Sequence, residues 1–354
     1  MLNLDYLIDR LWQSFAHDIA IDLGTANTLV FIRGKGIAIR EPSTVAIHKK
    51  TKQVLAVGTE AKKMIGKTPA NIVAVRPLRN GVISDFDMAE GMLKYFIRKV
   101  HRSYSWTSLK IPRPRVVIGV PSGVTEVERK AVVDAALRGG ARKVYLIEEP
   151  MAAAIGADLP IEEATGSMVV DVGGGTSEMA VVSLGGIVAS RSIRVAGDAM
   201  DEEIINWVKN THNVLIGDKT AEELKLTIGT ALPYPEDENI PTTTFRGRSL
   251  KTGLPKEVTV TANELLAALE KPIHAIVENI KETIEETPPE IIDDLFRAGM
   301  VLTGGGALLK KLDQRIAQET KLPVMIAEDP LTTVVKGCGK TLEEIELLNK
   351  VRVV

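Results

Sequence analysis

The sequence contains one pattern twice, and this duplication limits the possible folds more than any other feature. In each copy an apolar strand ends in an aspartate, Asp22 or Asp171, and a turn of glycine and other small residues follows. The spacing within the two copies differs by one residue, which we assign to an extra glycine in the second turn. The strands predicted for the two copies cover residues 19–23, 28–32 and 36–39, and residues 168–172, 178–184 and 186–190.

A unit of this length that occurs only twice is not the repeat of a solenoid. It predicts two halves of similar fold, each a mixed β-sheet flanked by helices, in an α/β architecture. The second half also carries an insertion at residues 195–258. The remaining predicted elements are helices at 87–102, 125–138, 150–158, 261–286 and 332–351, and strands at 115–120 and 300–303.

Length and composition agree with a folded protein of two lobes. The chain has 354 residues, more than one hydrophobic core usually serves. Lys and Arg number 44 against 46 Asp and Glu, so the formal charge of -2 disfavours a nucleic-acid partner. The single cysteine, Cys338, cannot form an internal disulfide, which favours the reducing cytoplasm. We find no apolar run near the roughly 20 residues of a membrane-spanning helix.

The first 16 residues predict an amphipathic helix, because apolar side chains recur at spacings of three and four. Such a helix either docks on the protein's own core or lies in a membrane interface, and the pattern alone leaves both open. The apolar residues of this helix are Leu4, Leu7, Ile8, Leu11, Trp12 and Phe15.

The two aspartate-led turns have the chemistry of phosphate binding. In a tight turn of small residues, backbone N–H groups can approach phosphate oxygens closely. Asp22 and Asp171 could each hold a hydrated Mg²⁺, which prefers oxygen ligands and keeps several of its waters. Either turn alone is more often an ordinary β-hairpin. Two of them in a duplicated setting predict a clamp on one triphosphate.

Two further motifs suit a nucleotide. A glycine cluster at residues 304–306 follows a short strand and leads into a helical stretch, where free N–H groups can bind a sugar or phosphate. Glu148 and Glu149 precede Pro150 at the start of an Ala-rich helix. A carboxylate there can orient water for attack on a phosphoryl group, although acidic residues at a helix N-terminus also simply complement the helix dipole.

Other catalytic motifs fail on spacing. Gly337 to Thr341 reads like the end of a P-loop, but the first required glycine would fall at Val334. Gly173 and Gly175 lack the third glycine of a dinucleotide fingerprint, because Glu178 occupies that position. The five histidines are scattered without the spacing of a zinc site.

Taken together, these motifs resemble those of the actin, sugar kinase and heat-shock chaperone ATPase superfamily. Their exact amino-acid sequences resemble those of its bacterial MreB family. The resemblance covers residues 18–348 and implies ATP and Mg²⁺ as ligands. It implies an actin-like fold, related to ribonuclease H, in which each of two lobes has a large and a small subdomain around a nucleotide cleft. It places the subdomains at 17–45, 79–158 and 328–354 (IA), 46–78 (IB), 159–194 and 259–327 (IIA), and 195–258 (IIB), after the helix at 1–16.

The resemblance also implies roles for individual residues. Asp22 and Asp171 would hold Mg²⁺ through water, and Glu149, assisted by Thr176, would activate the attacking water. Glu148 would be a neighbour without that role. The phosphates would be bound by Thr25, Ala26, Asn27, Gly173, Gly174 and Gly175. Adenine and ribose would be contacted by Glu222, Glu223, Leu224, Lys225, Gly305, Gly306, Ala307 and Leu308.

As expectations, the resemblance implies slow ATP hydrolysis and head-to-tail protofilaments that pair on the inner membrane surface, together with partners in cell-wall elongation. Membrane contact would come from the N-terminal helix, from Trp106, or from both. One departure matters: residues 1–16 hold two Asp against one Arg, whereas family helices tend to be basic. Apolar burial would therefore be the main contribution to membrane binding.

Three other functions remain open at this point. A small-molecule kinase on the same fold would need a substrate pocket and usually an Asp base, whereas this sequence offers Glu149. A chaperone ATPase would need a substrate-binding domain after the ATPase core, and the sequence ends at Val354. The sequence does not exclude a nucleotide-binding assembly factor that forms no filaments, because fold alone does not settle function.

Overall fold

The computed structural model describes residues 18–104, 114–235 and 237–353. The predicted membrane-binding residues lie outside these ranges, and so does the whole predicted N-terminal helix. These residues are Leu4, Leu7, Ile8, Leu11, Trp12, Phe15 and Trp106.

The chain divides into two compact units. Unit 1 comprises Met1–Glu163, Leu184–Gly186 and Thr332–Val354, and unit 2 comprises Ala164–Ser183 and Ile187–Leu331. The finer division into four subdomains stays a prediction.

Unit 1 is built on a six-stranded sheet with the order β19-β10-β9-β1-β2-β3. Its central strands are short, continuous apolar runs, as expected for strands that are covered on both faces. The strands of this sheet are β1 (Ile19–Leu23), β2 (Asn27–Ile32), β3 (Gly36–Pro42), β9 (Arg115–Val120), β10 (Lys143–Glu148) and β19 (Arg352–Val353). A small sheet contains β4 (Val45–His48), β5 (Val54–Val57) and β6 (Ile72–Val75) in the order β5-β4-β6. A two-stranded sheet contains β7 (Leu78–Arg79) and β8 (Val82–Ile83).

The helices of unit 1 cover this framework. Phe96 of the second helix is fully buried and belongs to the same hydrophobic cluster as Ile19 and Ile21 of β1. The described helices of this unit are α1 (Thr59–Met64), α2 (Phe86–Tyr104), α3 (Glu126–Gly139), α4 (Glu149–Gly156), α10 (Thr333–Glu343) and α11 (Ile345–Val351).

Unit 2 repeats the central arrangement with a five-stranded sheet in the order β13-β12-β11-β17-β18. The strands of this sheet are β11 (Ser167–Val172), β12 (Ser177–Ser183), β13 (Gly186–Ile193), β17 (Met300–Thr303) and β18 (Val324–Ile326). The predicted insertion folds into helices and a second sheet of β14 (Val214–Leu215), β15 (Thr242–Ser249) and β16 (Pro255–Thr261). The described α-helices are α5 (Gly197–His212), α6 (Asp218–Ile228), α7 (Ala262–Glu285), α8 (Pro289–Ala298) and α9 (Leu312–Thr320).

The predicted duplication is confirmed, but the predicted position of the extra residue is wrong. In both copies the first two strands form an antiparallel hairpin, with Leu23 opposite Thr28 and Val172 opposite Ser177. Four residues therefore separate the strands in each turn (24–27 and 173–176), so neither turn contains an extra glycine. The additional residue lies after the turn, in the second strand of the second copy: beyond the turn this strand covers 177–183, against 28–32 in the first copy, while the connection to the third strand is shorter in the second copy (184–185 against 33–35). In the first copy the pairing of β2 with β3 also has a β-bulge.

The last predicted helix, at residues 332–351, is also corrected. The structure breaks it into α10 and α11 at Glu344, whose backbone leaves the helical region with φ -114° and ψ 89°. A continuous apolar pattern hid this break, because no glycine or proline marks it. Among the described residues, no helix is both long enough and apolar enough to cross a membrane.

Candidate functional site

Asp22 lies at the end of β1, where the first turn begins. It pairs with Leu29 across the hairpin and with Gly119 of the parallel strand β9. Gly24, the first residue of the turn, has no room for a side chain, because a Cβ would lie 2.8 Å from the carbonyl oxygen of Asn27. The glycine in this turn is thus required by the close approach of the backbone to itself.

The other residues of the first turn differ in exposure. Thr25 is only 4% exposed, and its hydroxyl oxygen accepts a hydrogen bond from the amide of Gly81 at 2.9 Å. Asn27 begins β2 and is exposed. The turn therefore has one side tied to the β7–β8 hairpin and one side open to a ligand.

Glu149 lies near Asp22 in unit 1. It is the first residue of α4, is 7% exposed, and is followed by Pro150 in the first helical turn. Its Cγ lies 3.5 Å from the position that a Cβ would take on Gly119, the residue that pairs with Asp22. The structure thus brings together the predicted metal-binding aspartate and the predicted catalytic glutamate.

Two titratable side chains near Glu149 have shifted pKa values. Burial raises the pKa of the Cys338 thiol well above its ordinary value, and the charges of Asp22 and Glu149 raise it further. The thiol therefore stays protonated at neutral pH. Burial also raises the pKa of Glu148, an effect that the charge of Arg129 partly offsets.

In unit 2, Asp171 ends β11 as Asp22 ends β1. It is 6% exposed, and the turn after it is closed by a hydrogen bond from the amide of Gly173 to the carbonyl of Thr176 at 2.9 Å. The glycine cluster at residues 304–306 approaches the same strand end. A Cβ on Gly304, whose φ is +81°, would lie 2.4 Å from Oδ1 of Asp171, so only glycine fits there.

These surroundings suit Mg²⁺. Asp22 keeps some exposure, yet burial raises its pKa to about 7, so its ionised form lacks nearby compensating charge that a cation would supply. Among the described residues, no three His, Cys, Asp or Glu side chains are grouped closely enough to bind a metal directly. The predicted mode, coordination through water, needs no such group.

The predicted adenosine segment of α6 contains residues with different environments. Leu224 is 3% exposed and packs in the core of unit 2 with Ala221 and Ile228. Glu223 is exposed and pairs with Lys219 at 3.5 Å. The contacts of Glu222, Glu223, Leu224 and Lys225 with a nucleotide stay a prediction.

Lys225 lies beside the second turn. Its Nζ donates a hydrogen bond to the carbonyl of Gly197 at 2.8 Å and pairs with Asp201 at 2.8 Å. Gly197 in turn donates its amide to the carbonyl of Gly173 at 3.2 Å. Burial raises the pKa of Asp201 to about 6, although Lys225 opposes this shift.

The second predicted adenosine segment, Gly305–Leu308, forms a 3-10 helix in which Ala307 is buried and Leu308 is exposed. Shortly after it, Lys310 pairs with Thr230, just beyond the end of α6. Within unit 2 the second turn, the glycine cluster and α6 are therefore held together by direct contacts.

Sequence reasoning missed several residues that support the turns. Ser43 contacts the first turn, and Gly197 and Asp198 contact the second through hydrogen bonds to Gly173 and Gly174. The repeat itself could have identified them, because both groups follow the third strand of their copy. The P-loop-like residues have another role: α10 packs against α4 so closely that a Cβ on Gly337 would lie 1.8 Å from the carbonyl oxygen of Ala152.

Comparison with known proteins gives consistent results. Residues 16–350 match the family model described as MreB/Mbl protein. The cell shape-determining protein MreB of Escherichia coli (strain K12) is 52% identical over 345 residues, which are 96% of this chain and 97% of that protein. The crystal structure of MreB 5 of Spiroplasma citri bound to AMPPNP aligns with a TM-score of 0.85 and 37% identity, covering 94% of this chain and 97% of that one.

A more distant structure shows the fold alone. The MamK double helical filament aligns with a TM-score of 0.76 and 21% identity over 92% of this chain and 99% of that chain. These likenesses confirm the predicted actin-like α/β fold.

Proposed function

The chain belongs to the MreB/Mbl family, and from this premise we propose that it is an ATPase that polymerises with ATP into membrane-associated filaments governing cell shape. The observation that carries the proposal is the duplicated turn: each unit ends a buried strand with an aspartate and follows it with a tight hairpin turn. A single such hairpin would be ordinary. Two of them in duplicated sheets supply backbone N–H groups and an aspartate at each turn, which suits the binding of a triphosphate with Mg²⁺.

For nucleotide binding, the main support is that the MreB 5 relative carries AMPPNP, an ATP analogue, in its crystal structure. We assign phosphate binding to the two turns, at Thr25, Ala26 and Asn27 and at Gly173, Gly174 and Gly175. Backbone N–H groups supply neutral donors there, and Mg²⁺, when bound, neutralises charge on the phosphate oxygens.

For hydrolysis, Glu149 is the residue with the required chemistry. It begins α4 and is 7% exposed. From this buried position its carboxylate accepts a hydrogen bond from the attacking water and then takes a proton from that water. Thr176 is 8% exposed and lies at the end of the second turn, where we assign it an assisting role. Because positioning and charge stabilisation dominate phosphoryl transfer, one oriented water suffices.

For assembly, we propose head-to-tail protofilaments that pair, organise cell-wall elongation proteins and lie on the inner face of the cell membrane. ATP would favour assembly because contacts to its γ-phosphate stabilise one conformation over another. The membrane contact is assigned to the N-terminal helix, to Trp106, or to both. The four predicted subdomains, with their boundaries as given above, belong to the same proposal.

Sedimentation and electron microscopy with ATP, with and without liposomes, test this proposal. We expect filaments with ATP, few or none without nucleotide, and binding of the filaments to liposomes. ATP turnover on added sugars without filaments would instead favour a kinase, and nucleotide binding without any polymer would favour a non-filamentous assembly factor.

A further inference from the structure

Four residues of unit 1, residues 41–44, connect the first turn to the small sheet. Glu41 and the residue after it end β3, and Val45 begins β4. Ser43 is 0% exposed and Thr44 is 1% exposed, so the second half of this connection is buried, whereas Glu41 is partly exposed. A buried connection must satisfy its polar groups internally, and here it does so in two directions.

On one side the connection holds the turn. The amide of Ser43 donates to the carbonyl of Ala26 at 3.0 Å, and its hydroxyl donates to the carbonyl of Gly24 at 2.5 Å. The hydroxyl of Thr28 is 2.8 Å from that of Ser43. Since the Ser43 proton is directed to Gly24, Thr28 acts as donor in this pair. One serine therefore fixes both ends and the middle of the turn.

On the other side the connection holds the beginning of α1. The carbonyl of Thr44 accepts the amide of Gly58 at 2.9 Å. The carboxylate of Glu41 accepts both the amide and the hydroxyl of Thr59 at 2.8 Å. Its other oxygen accepts a hydrogen bond from Lys99 of α2, also at 2.8 Å.

The charge state of Glu41 agrees with these contacts. Burial acts to raise its pKa, but the hydrogen bonds from Lys99 and Thr59 outweigh burial and hold the pKa below its ordinary value. The carboxylate is therefore ionised at neutral pH, as its role of acceptor for three donors requires.

We propose that residues 41–44 form a brace that positions the first turn for phosphate binding and passes the presence of nucleotide to α1, with Ser43 as the positioning residue. The proposal rests on the proposed function, because it needs a nucleotide at the first turn. A six-residue helix is not stable by itself. Its order depends on anchors such as this brace, so nucleotide that steadies the turn also steadies α1, and by linkage a firmly held α1 favours nucleotide binding.

The first experiment replaces the serine. Ser43→Ala leaves the carbonyl of Gly24 and the hydroxyl of Thr28 without this partner, and we expect the affinity for Mg-AMPPNP to fall roughly tenfold in a fluorescence titration. The matched control is Thr283→Val, which removes another fully buried hydroxyl bonded to a backbone carbonyl, in α7 of unit 2. Both variants should lower the melting temperature without nucleotide, but only Ser43→Ala should weaken binding.

The second experiment follows α1 by hydrogen exchange with and without saturating AMPPNP. In the wild type, nucleotide should slow exchange of the α1 amides several-fold. Glu41→Ala should abolish this protection, and by the same linkage it should lower the affinity for AMPPNP by no more than that several-fold factor, because Glu41 contacts α1 rather than the turn. Glu60→Ala is the control: it removes an exposed glutamate of the same helix that pairs only with surface Lys63 in the contacts described, and it should keep the protection.

The outcomes separate this proposal from the one on which it rests. If the wild type fails to bind AMPPNP, the proposed function is wrong. If the wild type binds but Ser43→Ala binds equally well, or Glu41→Ala retains full nucleotide-dependent protection of α1, the brace is wrong and the proposed function stands.

Discussion

Glu148 and Glu149 are neighbours in the sequence, yet the structure gives their carboxylates different surroundings. Glu149 begins α4 beside Gly119 and Cys338, whereas Glu148 precedes the helix and lies near the charge of Arg129. Substitution of either glutamate by alanine removes one carboxylate, so one variant can serve as the control for the other.

For catalysis we expect Glu149→Ala to slow ATP hydrolysis about 100-fold or more, since a general base contributes that much to a phosphoryl or acyl transfer. The affinity for AMPPNP should change by less than about threefold, because the proposed mechanism has Glu149 contact the attacking water rather than the nucleotide. Phosphate release under single-turnover conditions measures the rate. Glu148→Ala, as the matched control, should hydrolyse ATP at close to the wild-type rate, and normal hydrolysis by Glu149→Ala would disprove the catalytic assignment.

A second residue-scale prediction concerns the buried ion pair at the other end of β1. Asp18 and Arg115 are 4% and 3% exposed, and the guanidinium Nε donates to Asp18 at 2.9 Å. Asp18→Ala removes the neutralising carboxylate from a buried cation, which should lower the stability of unit 1 by about 3–5 kcal/mol. Hydrogen exchange of the β1 and β9 amides reports this loss.

The surface pair of Glu162 and Lys350 provides the contrast. Both side chains are about 60% exposed, so Glu162→Ala should lower the stability of unit 1 far less than Asp18→Ala does. Equal losses of stability from the two substitutions would show that the buried ion pair of Asp18 and Arg115 does not stabilise unit 1 as expected.

At the scale of elements, the crossing of α4 and α10 controls where Glu149 lies. A Cβ on Gly337 would overlap the backbone of α4, so Gly337→Ala must push the two helices apart and should cost about 1–3 kcal/mol or more. Because α4 begins with Glu149, hydrolysis should fall as well. Thermal unfolding and phosphate release measure the two effects. Gly217→Ala, where a Cβ meets nothing within 4 Å, is the control: it removes only a favourable N-cap residue of α6, so it should cost less stability than Gly337→Ala and should leave hydrolysis nearly unchanged. A neutral Gly337→Ala would contradict the close crossing.

Most elements of the fold could be predicted from the sequence, because hydrophobic period and turn residues mark them directly. Strands β1 and β9 begin and end where the apolar runs do. The break at Glu344 could not be predicted, since it depends on how α10 packs rather than on a local signal. The misplaced extra residue arose because sequence spacing gives the total length of a repeat but not the register of its strands.

The candidate site could also be predicted only in part from the sequence. Asp22 and Glu149 were identified by their motifs, and the structure brings them together through Gly119. The burial of Leu224 was missed, although Ala221, Leu224 and Ile228 have the helical spacing of a core face. Lys225 was assigned to adenosine, but its ion pair with Asp201 depends on the packing of α5 against α6, which no local pattern reveals.

For the whole molecule, the central proposal is that the two duplicated turns bind the phosphates of one nucleotide. Both units carry the same hairpin with the same number of turn residues, and in both units residues that follow the third strand donate hydrogen bonds to the turn. The two turns therefore have the same construction, as the proposal requires.

Calorimetric titration with Mg-AMPPNP tests this claim most directly, using the wild type, Asp22→Asn, Asp171→Asn and, as a control, Asp158→Asn at an exposed pair. The account predicts one nucleotide per chain, with affinity reduced about tenfold or more by either of the first two substitutions and unchanged by the third. Two nucleotides per chain, or wild-type affinity after either turn substitution, would contradict it.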